Sequence, residues 1–232
     1  MPQIYLIGTN HRDLKGGERL SRALELLQPH YLVLESSREF AINTLDFHYQ
    51  LAGMSKDEMK DSIVINGIKV DEITDAGLDA YLRTFGYEII VGSSYALVTG
   101  AKIATPLLPP KEDLQRRMEV ENKVGMTRFT DETREGAGWP QILRATSEDL
   151  EEHQRHVEDT YRSSRSWSEL SEFWDFYEGL LVDATRQMPG NTAVIVGQDH
   201  IFTERSDLYT RLNDLKPRRF RLSDFDRPII IT

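Results

Sequence analysis

Two hydrophobic runs near opposite ends of this chain finish on one pattern. Ile4-Tyr5-Leu6-Ile7 runs into Gly8-Thr9-Asn10-His11, and Ala193-Val194-Ile195-Val196 runs into Gly197-Gln198-Asp199-His200. Four apolar residues in a row mark a strand buried on both faces, as in a parallel sheet. A glycine at the strand end permits a sharp turn, and the histidine then stands just beyond the sheet. With 15 glycines and 6 histidines in 232 residues, chance supplies roughly 0.4 Gly-x-x-His patterns; two, each closing a strand, need another explanation. A third run, Tyr31-Leu32-Val33-Leu34, ends in Glu35. Between the first and third runs, Leu20, Ala23, Leu24 and Leu27 repeat with helical spacing before Pro29, giving a strand–helix–strand unit. Parallel strands share one carboxyl edge, which predicts that His11, Glu35 and His200 face a common crevice.

The expected fold is therefore α/β: one domain over 1–232, with a central, mostly parallel sheet flanked by helices. A helix is predicted from Ser36 to Gly53, and Ser55-x-x-Glu58 is a capping box for a short one behind it. Ile63 to Val70, around Asn66-Gly67, reads as a small inserted β-hairpin. Asp75 is the expected cap of a helix ending at Gly86, followed by a helix over Gly86–Gly100 and a strand over Lys102–Leu108. Residues 111–146 begin with a charged helical stretch to Lys123 and continue without apolar periodicity; they are expected to form a mobile lid overhanging the crevice. Ser147–Tyr161 is a charged helix whose His153 and His156 read as part of a solvated face rather than a metal pair. Ser166-x-x-Glu169 caps a helix striped with Trp167, Leu170, Trp174, Tyr177 and Leu181. A helix over Thr203–Leu215, an arginine-rich strand over Lys216–Leu222 and an edge strand at Pro228–Ile231 complete the expectation.

Composition narrows the function. A net charge of −10 argues against wholesale binding of nucleic acid. The absence of cysteine rules out disulfides, thiolate metal sites and a cysteine nucleophile. No signal peptide and no membrane-length apolar run is visible, so a cytoplasmic location without membrane contact is the default expectation. No Gly-x-Gly-x-x-Gly fingerprint occurs, which sets dinucleotide binding aside. The sequence leaves open assembly into a homo-oligomer.

Four local matches resemble the TraB/Tiki superfamily with its erythromycin-esterase-like and ChaN-like relatives. They are Gly8-Thr9-Asn10-His11, the strand-end Glu35, the Gly86-Tyr87-Glu88 helix followed by the small residues Ala96 and Ala101, and Gly197 to His200. The resemblance implies a hydrolase of peptides or other acyl compounds, and it keeps Glu88 in view as a site residue. It also departs from the family pattern. The arginine expected after Glu178 is replaced by Gly179, with Arg186 or Arg165 as the nearest substitutes. The acid expected after the third strand is absent around Pro106, and no membrane anchor is expected from these residues.

The central expectation is a metal-dependent hydrolase in which His11, Glu35 and His200 are both the catalytic set and the metal ligands. Histidine nitrogens and a carboxylate oxygen suit a divalent Zn, Mn or Co ion, and the resemblance favours the last two. An empty site should hold the three side chains within roughly 3–6 Å of one another. Asn10, Arg12, Asp199 and Glu88 are supporting candidates, Asp199 either orienting a histidine or capping the turn behind it. The partner would be a peptide or small-molecule substrate. Two alternatives stay open: a metal-free esterase-like hydrolase with His11 as general base, and a non-catalytic peptide- or ligand-binding regulator of TraB type.

Overall fold

The computed structural model describes residues 2–63, 68–109, 111–113, 115, 116, 119, 138–163, 171–202 and 208–227, the side chains of 171–174 apart. Five parallel strands form its one sheet among the described residues: β1 (Ile4–Thr9), β2 (Tyr31–Leu34), β3 (Lys102–Ala104), β4 (Thr192–Gly197) and β5 (Arg218–Arg221), in the order β3-β2-β4-β1-β5. The late strand β4 lies between the two earliest. Its register matches Ile4 to Thr192 on one side and Tyr31 to Thr192 on the other. That order places the ends of β2, β4 and β1 side by side, which is what brings the three predicted residues to one edge.

Alternation along the strands divides the core. Tyr5, Ile7, Leu32, Leu34, Ala193, Ile195 and Phe220 pack on one face. Against them lie Leu20, Ala23, Leu24 and Leu27 of α1 (Gly16–Leu27), Tyr87 and Ile89 of α5 (Tyr87–Thr99), and Val157 and Tyr161 of a later helix, α7 (Ser147–Arg162). Ile4, Leu6, Val33, Val194 and Val196 face the other way, onto Leu181 of α8 (Ser171–Arg186) and Leu208 of α9 (Leu208–Arg211). The helices α2 (Arg38–Leu51), α3 (Lys56–Ser62), α4 (Asp75–Thr84) and α6 (Trp139–Arg144) fill the interval, α4 and α6 building a separate apolar cluster with Leu78, Tyr81, Ile142 and Leu143.

Local chemistry explains most boundaries. Ser37 caps α2 through the Phe40 N–H, and the Ser55/Glu58 capping box opens α3 as expected. Gly86 (φ 65°) and Gly100 (φ 78°) bracket α5 in the left-handed conformation that favours glycine. Several expectations are corrected. Thr74, not Asp75, caps α4, because its hydroxyl reaches the Gly77 N–H while Asp75 already lies inside the first turn. β3 ends at Ala104 rather than Leu108, since Pro106 has no N–H to extend the ladder and makes only an isolated bridge to Ser37. Within Thr203–Leu215 the described helix covers only Leu208–Arg211, followed by a 3-10 turn at Asn213–Leu215.

The Asn66-Gly67 hairpin turn, most of the 111–146 lid, the Ser166/Glu169 capping box and the Pro228–Ile231 strand lie outside the described residues. Of the hairpin's flanks, Ile63 closes α3 and Val70 opens a 3-10 turn, Val70–Glu72. The described end of the lid segment packs: α6 buries Ile142 and Leu143 against α4. No helix of the described residues is long and apolar enough to cross a membrane.

Candidate functional site

Two residues past β1, the loop that presents His11 is pinned from several sides. The Asn10 N–H donates to the Tyr161 hydroxyl (3.1 Å), the Tyr87 hydroxyl donates to the Asn10 carbonyl (3.2 Å), and the Asn10 side-chain oxygen accepts from the Arg12 N–H (3.1 Å). That last bond is an Asx turn, through which Asn10 sets the loop's shape. Asp13, fully buried, takes the Tyr161 hydroxyl at 3.0 Å and Nη1 of buried Arg19 at 2.7 Å. Arg19 also joins Glu158 and Asp226, tying the loop to α7 and to the 3-10 turn Leu222–Asp226. The guanidinium of Arg12 lies against Gly138 and over the Trp139 ring at 5.9 Å, directed to α6.

Each histidine is gripped by its own carboxylate. His11 Nδ1 is 2.8 Å from Glu88 Oε1, in the first turn of α5. His200 Nδ1 is 3.2 Å from Glu178 Oε1, on α8. Glu35 stands between the strand ends: its Oε1 lies 3.1 Å from His200 Nε2, and its Oε2 accepts the Gly197 N–H at 2.5 Å. A Cβ added at Gly197 would sit 3.4 Å from Glu35 Oε2, 3.7 Å from His200 Cδ2 and 3.8 Å from His11 Nε2. All three predicted residues thus surround one point over Gly197. Its φ of −51° is open to any residue, and a Cβ there would meet only ordinary contact distances while filling the point the three side chains surround.

The charges reinforce one another. Burial opposes protonation of His200, but Glu35 and Glu178 outweigh it and carry the pKa up to about 10. For Glu35 burial alone would raise the value; the charge and hydrogen bond of His200, then His11 and the Gly197 N–H, bring it down to about 2. Surrounding protein opposes protonation of His11 too, and Glu88 together with Glu35 raises it to about 9. The His11 side chain keeps 58% of its surface open, so solvent screens its carboxylates and the hold is weaker than at buried His200.

Asp199 sits half-buried in the turn Gln198–His200; the orienting positions at the two Nδ1 atoms belong to Glu88 and Glu178. Glu178 was not among the expected site residues; its one signal in the sequence is a carboxylate on the apolar stripe of its helix, one residue after Tyr177 and three before Leu181, where it is 5% exposed. Arg211 reaches Glu178 (Nε–Oε2 3.4 Å) from α9, whereas Arg186 pairs with Asp214 and Arg165 lies outside the described residues. His153, half-buried, donates its Nε2–H to the Arg12 carbonyl (2.9 Å) and so departs from the solvated face expected of this pair, whereas His156 is exposed. Among the described residues, no group of three His, Asp or Glu side chains is placed so as to hold a metal ion. A cavity of about 840 Å³ lies away from all of this, between α1 and α5 beside Gln28, His30 and Ala101. No family model, curated protein or solved structure matches the chain.

Proposed function

We propose that the chain is a hydrolase of peptides or other acyl compounds, centred on His11, Glu35 and His200 and dependent on a divalent Mn, Co or Zn ion. One observation carries the reading: two strand-end histidines, each held at Nδ1 by its own carboxylate, surround the same point as a strand-end glutamate. The donor set fits such an ion. His11 Nε2, His200 Nε2 and a Glu35 oxygen would be the ligands, and Glu88 and Glu178 stand where outer carboxylates orient ligand rings. When bound, the ion lowers the pKa of its water toward about 7 and polarises a carbonyl.

The chain's own groups account for the rest. Glu88 and Glu178 fix the ring planes, and Gly197 leaves the central point open. Without metal, the three carboxylates hold two imidazolium rings; exchanging both ring protons for one dication leaves the net charge of the cluster unchanged. A metal-free general base at His11 would instead need a neutral ring at neutral pH, against the hold of Glu88. The resemblance to the TraB/Tiki superfamily supports the same substrate class.

The test is to purify the chain in metal-free buffer, measure copurifying metal by mass spectrometry, and assay peptides and nitrophenyl esters with each ion restored. Stoichiometric metal and ion-dependent turnover, both lost in H200A and in E35Q, are expected. Metal-independent turnover abolished by H11A would favour the base mechanism, and neither metal nor turnover would favour the non-catalytic regulator.

A further inference from the structure

β5 reads Arg218-Arg219-Phe220-Arg221, three guanidinium groups within four residues of a chain whose net charge is −10. Phe220 points into the core beside Tyr5 and Phe225, so alternation sends Arg219 and Arg221 to the opposite face. There both lie on aromatic rings. Arg221 is 4.2 Å from the Phe202 centroid; Arg219 is 4.3 Å from that of Tyr209 and 5.2 Å from that of Phe202. Arg19, Arg22, Arg144, Arg162, Arg186 and Arg211 each meet a carboxylate. Among the described residues the guanidinium groups of Arg219 and Arg221 meet none, the nearby Asp224 carboxylate being taken by the Arg221 backbone N–H at 2.8 Å: Arg219 donates to the Ile201 carbonyl at 3.2 Å, and Arg221 Nε is buried with no hydrogen-bond partner.

A buried donor without a partner in a native fold calls for one. Stacking on Phe202 occupies the face of the Arg221 guanidinium and fixes its plane, leaving its edge for in-plane donation. That edge matches the paired oxygens of a carboxylate or a phosphate. The location is also specific. Arg221 ends β5 and pairs in register with Gly8, so it stands on the same sheet edge as His11. Phe202 follows His200 by two residues, and its ring lies 3.2 Å from where a Gly8 Cβ would be.

We infer that Arg221, seconded by Arg219 and braced by Phe202, is an oxyanion subsite for a carboxylate or phosphate group. That this group belongs to the molecule processed at the His/Glu centre rests on the hydrolase reading, and it makes that substrate an acidic acyl compound.

The test follows the arginine Nε–H signals of the metal-free, 15N-labelled chain by NMR during titration with inorganic phosphate and, separately, acetate, against sodium chloride at equal ionic strength. The Arg221 signal should shift saturably with at least one of the two, and which one does so identifies the anion. R221K, which keeps the charge but loses the fork, should weaken binding about tenfold, read at the Arg219 signal. Should R221K fail to fold, F202L keeps the arginine without its brace and should also weaken binding. Linear shifts, or shifts that chloride reproduces, would overturn the subsite. The measurement needs no turnover, so saturable binding in a chain without hydrolase activity would keep the subsite and discard only the substrate assignment.

Discussion

Arg19→Met probes the frame that carries His11. The Arg19 guanidinium is 1% exposed and meets Asp13, Glu158 and Asp226. Their losses are unequal. Glu158 and Asp226 are 25% and 38% exposed, so water can replace the arginine there. Asp13 is 0% exposed and would be left buried with the Tyr161 hydroxyl, the Gln154 amide and the Lys15 N–H. Removing one side of a buried ion pair costs about 3–5 kcal/mol, while methionine keeps much of the packing of the arginine stem. At about 2–4 °C per kcal/mol for a chain of this size, the melting temperature should fall by roughly 6–20 °C. Adding Asp13→Asn removes the orphaned charge, so the double variant should be more stable than additivity allows, by about 1–3 kcal/mol. Urea denaturation followed by circular dichroism on all four chains of the cycle measures both quantities. A loss under about 1 kcal/mol, or strict additivity, would refute the argument that Asp13 depends on Arg19.

Three other outcomes are expected. In the metal-free chain His200, raised to about 10 from 6.5, contributes stability fully present below about pH 6.5 and lost as pH rises through about 10. Glu35, lowered to about 2 from 4.5, contributes above about pH 4.5 and loses it as pH falls through about 2. With chelator present, the stability gap between the native chain and H200Q should therefore be wider at pH 5.5 than at pH 9.5, and an equal gap in urea melts would contradict the pairing. Gly77→Ala would set a Cβ 2.2 Å from the Leu143 carbonyl oxygen, so it should destabilise by about 1–3 kcal/mol or more; an unchanged melting temperature would show that α4 and α6 do not approach so closely. Gly197→Ala meets only ordinary contact distances of 3.4–3.8 Å, so the fold should hold within about 1 kcal/mol. Metal-dependent turnover should nevertheless drop at least about tenfold, and full activity would argue against a centre over Gly197.

The strand ends were legible because their signals are local. An apolar run of four, a glycine and a polar close need only neighbouring residues, so Ile4–Ile7, Tyr31–Leu34 and Ala193–Val196 could be read as buried parallel strands from the sequence alone. The shared carboxyl edge then followed from geometry common to all parallel sheets. Strand order was not legible, because no local pattern says that a strand at residue 192 slips between those at residues 4 and 31. The partners of the histidines depend on that order: Glu88 is 77 positions from His11, and Glu35 is 165 from His200. Glu178 and Arg19 lie on helical stripes where a charge looks like an interruption, and only the packing of neighbouring elements supplies the opposite charges that let them be buried. The arginines of β5 reverse this case. Their clustering on one strand was plain in the sequence, but that Arg221 would lie on Phe202 with a buried, unpartnered Nε was decided by the placement of the turn after His200 across two strands.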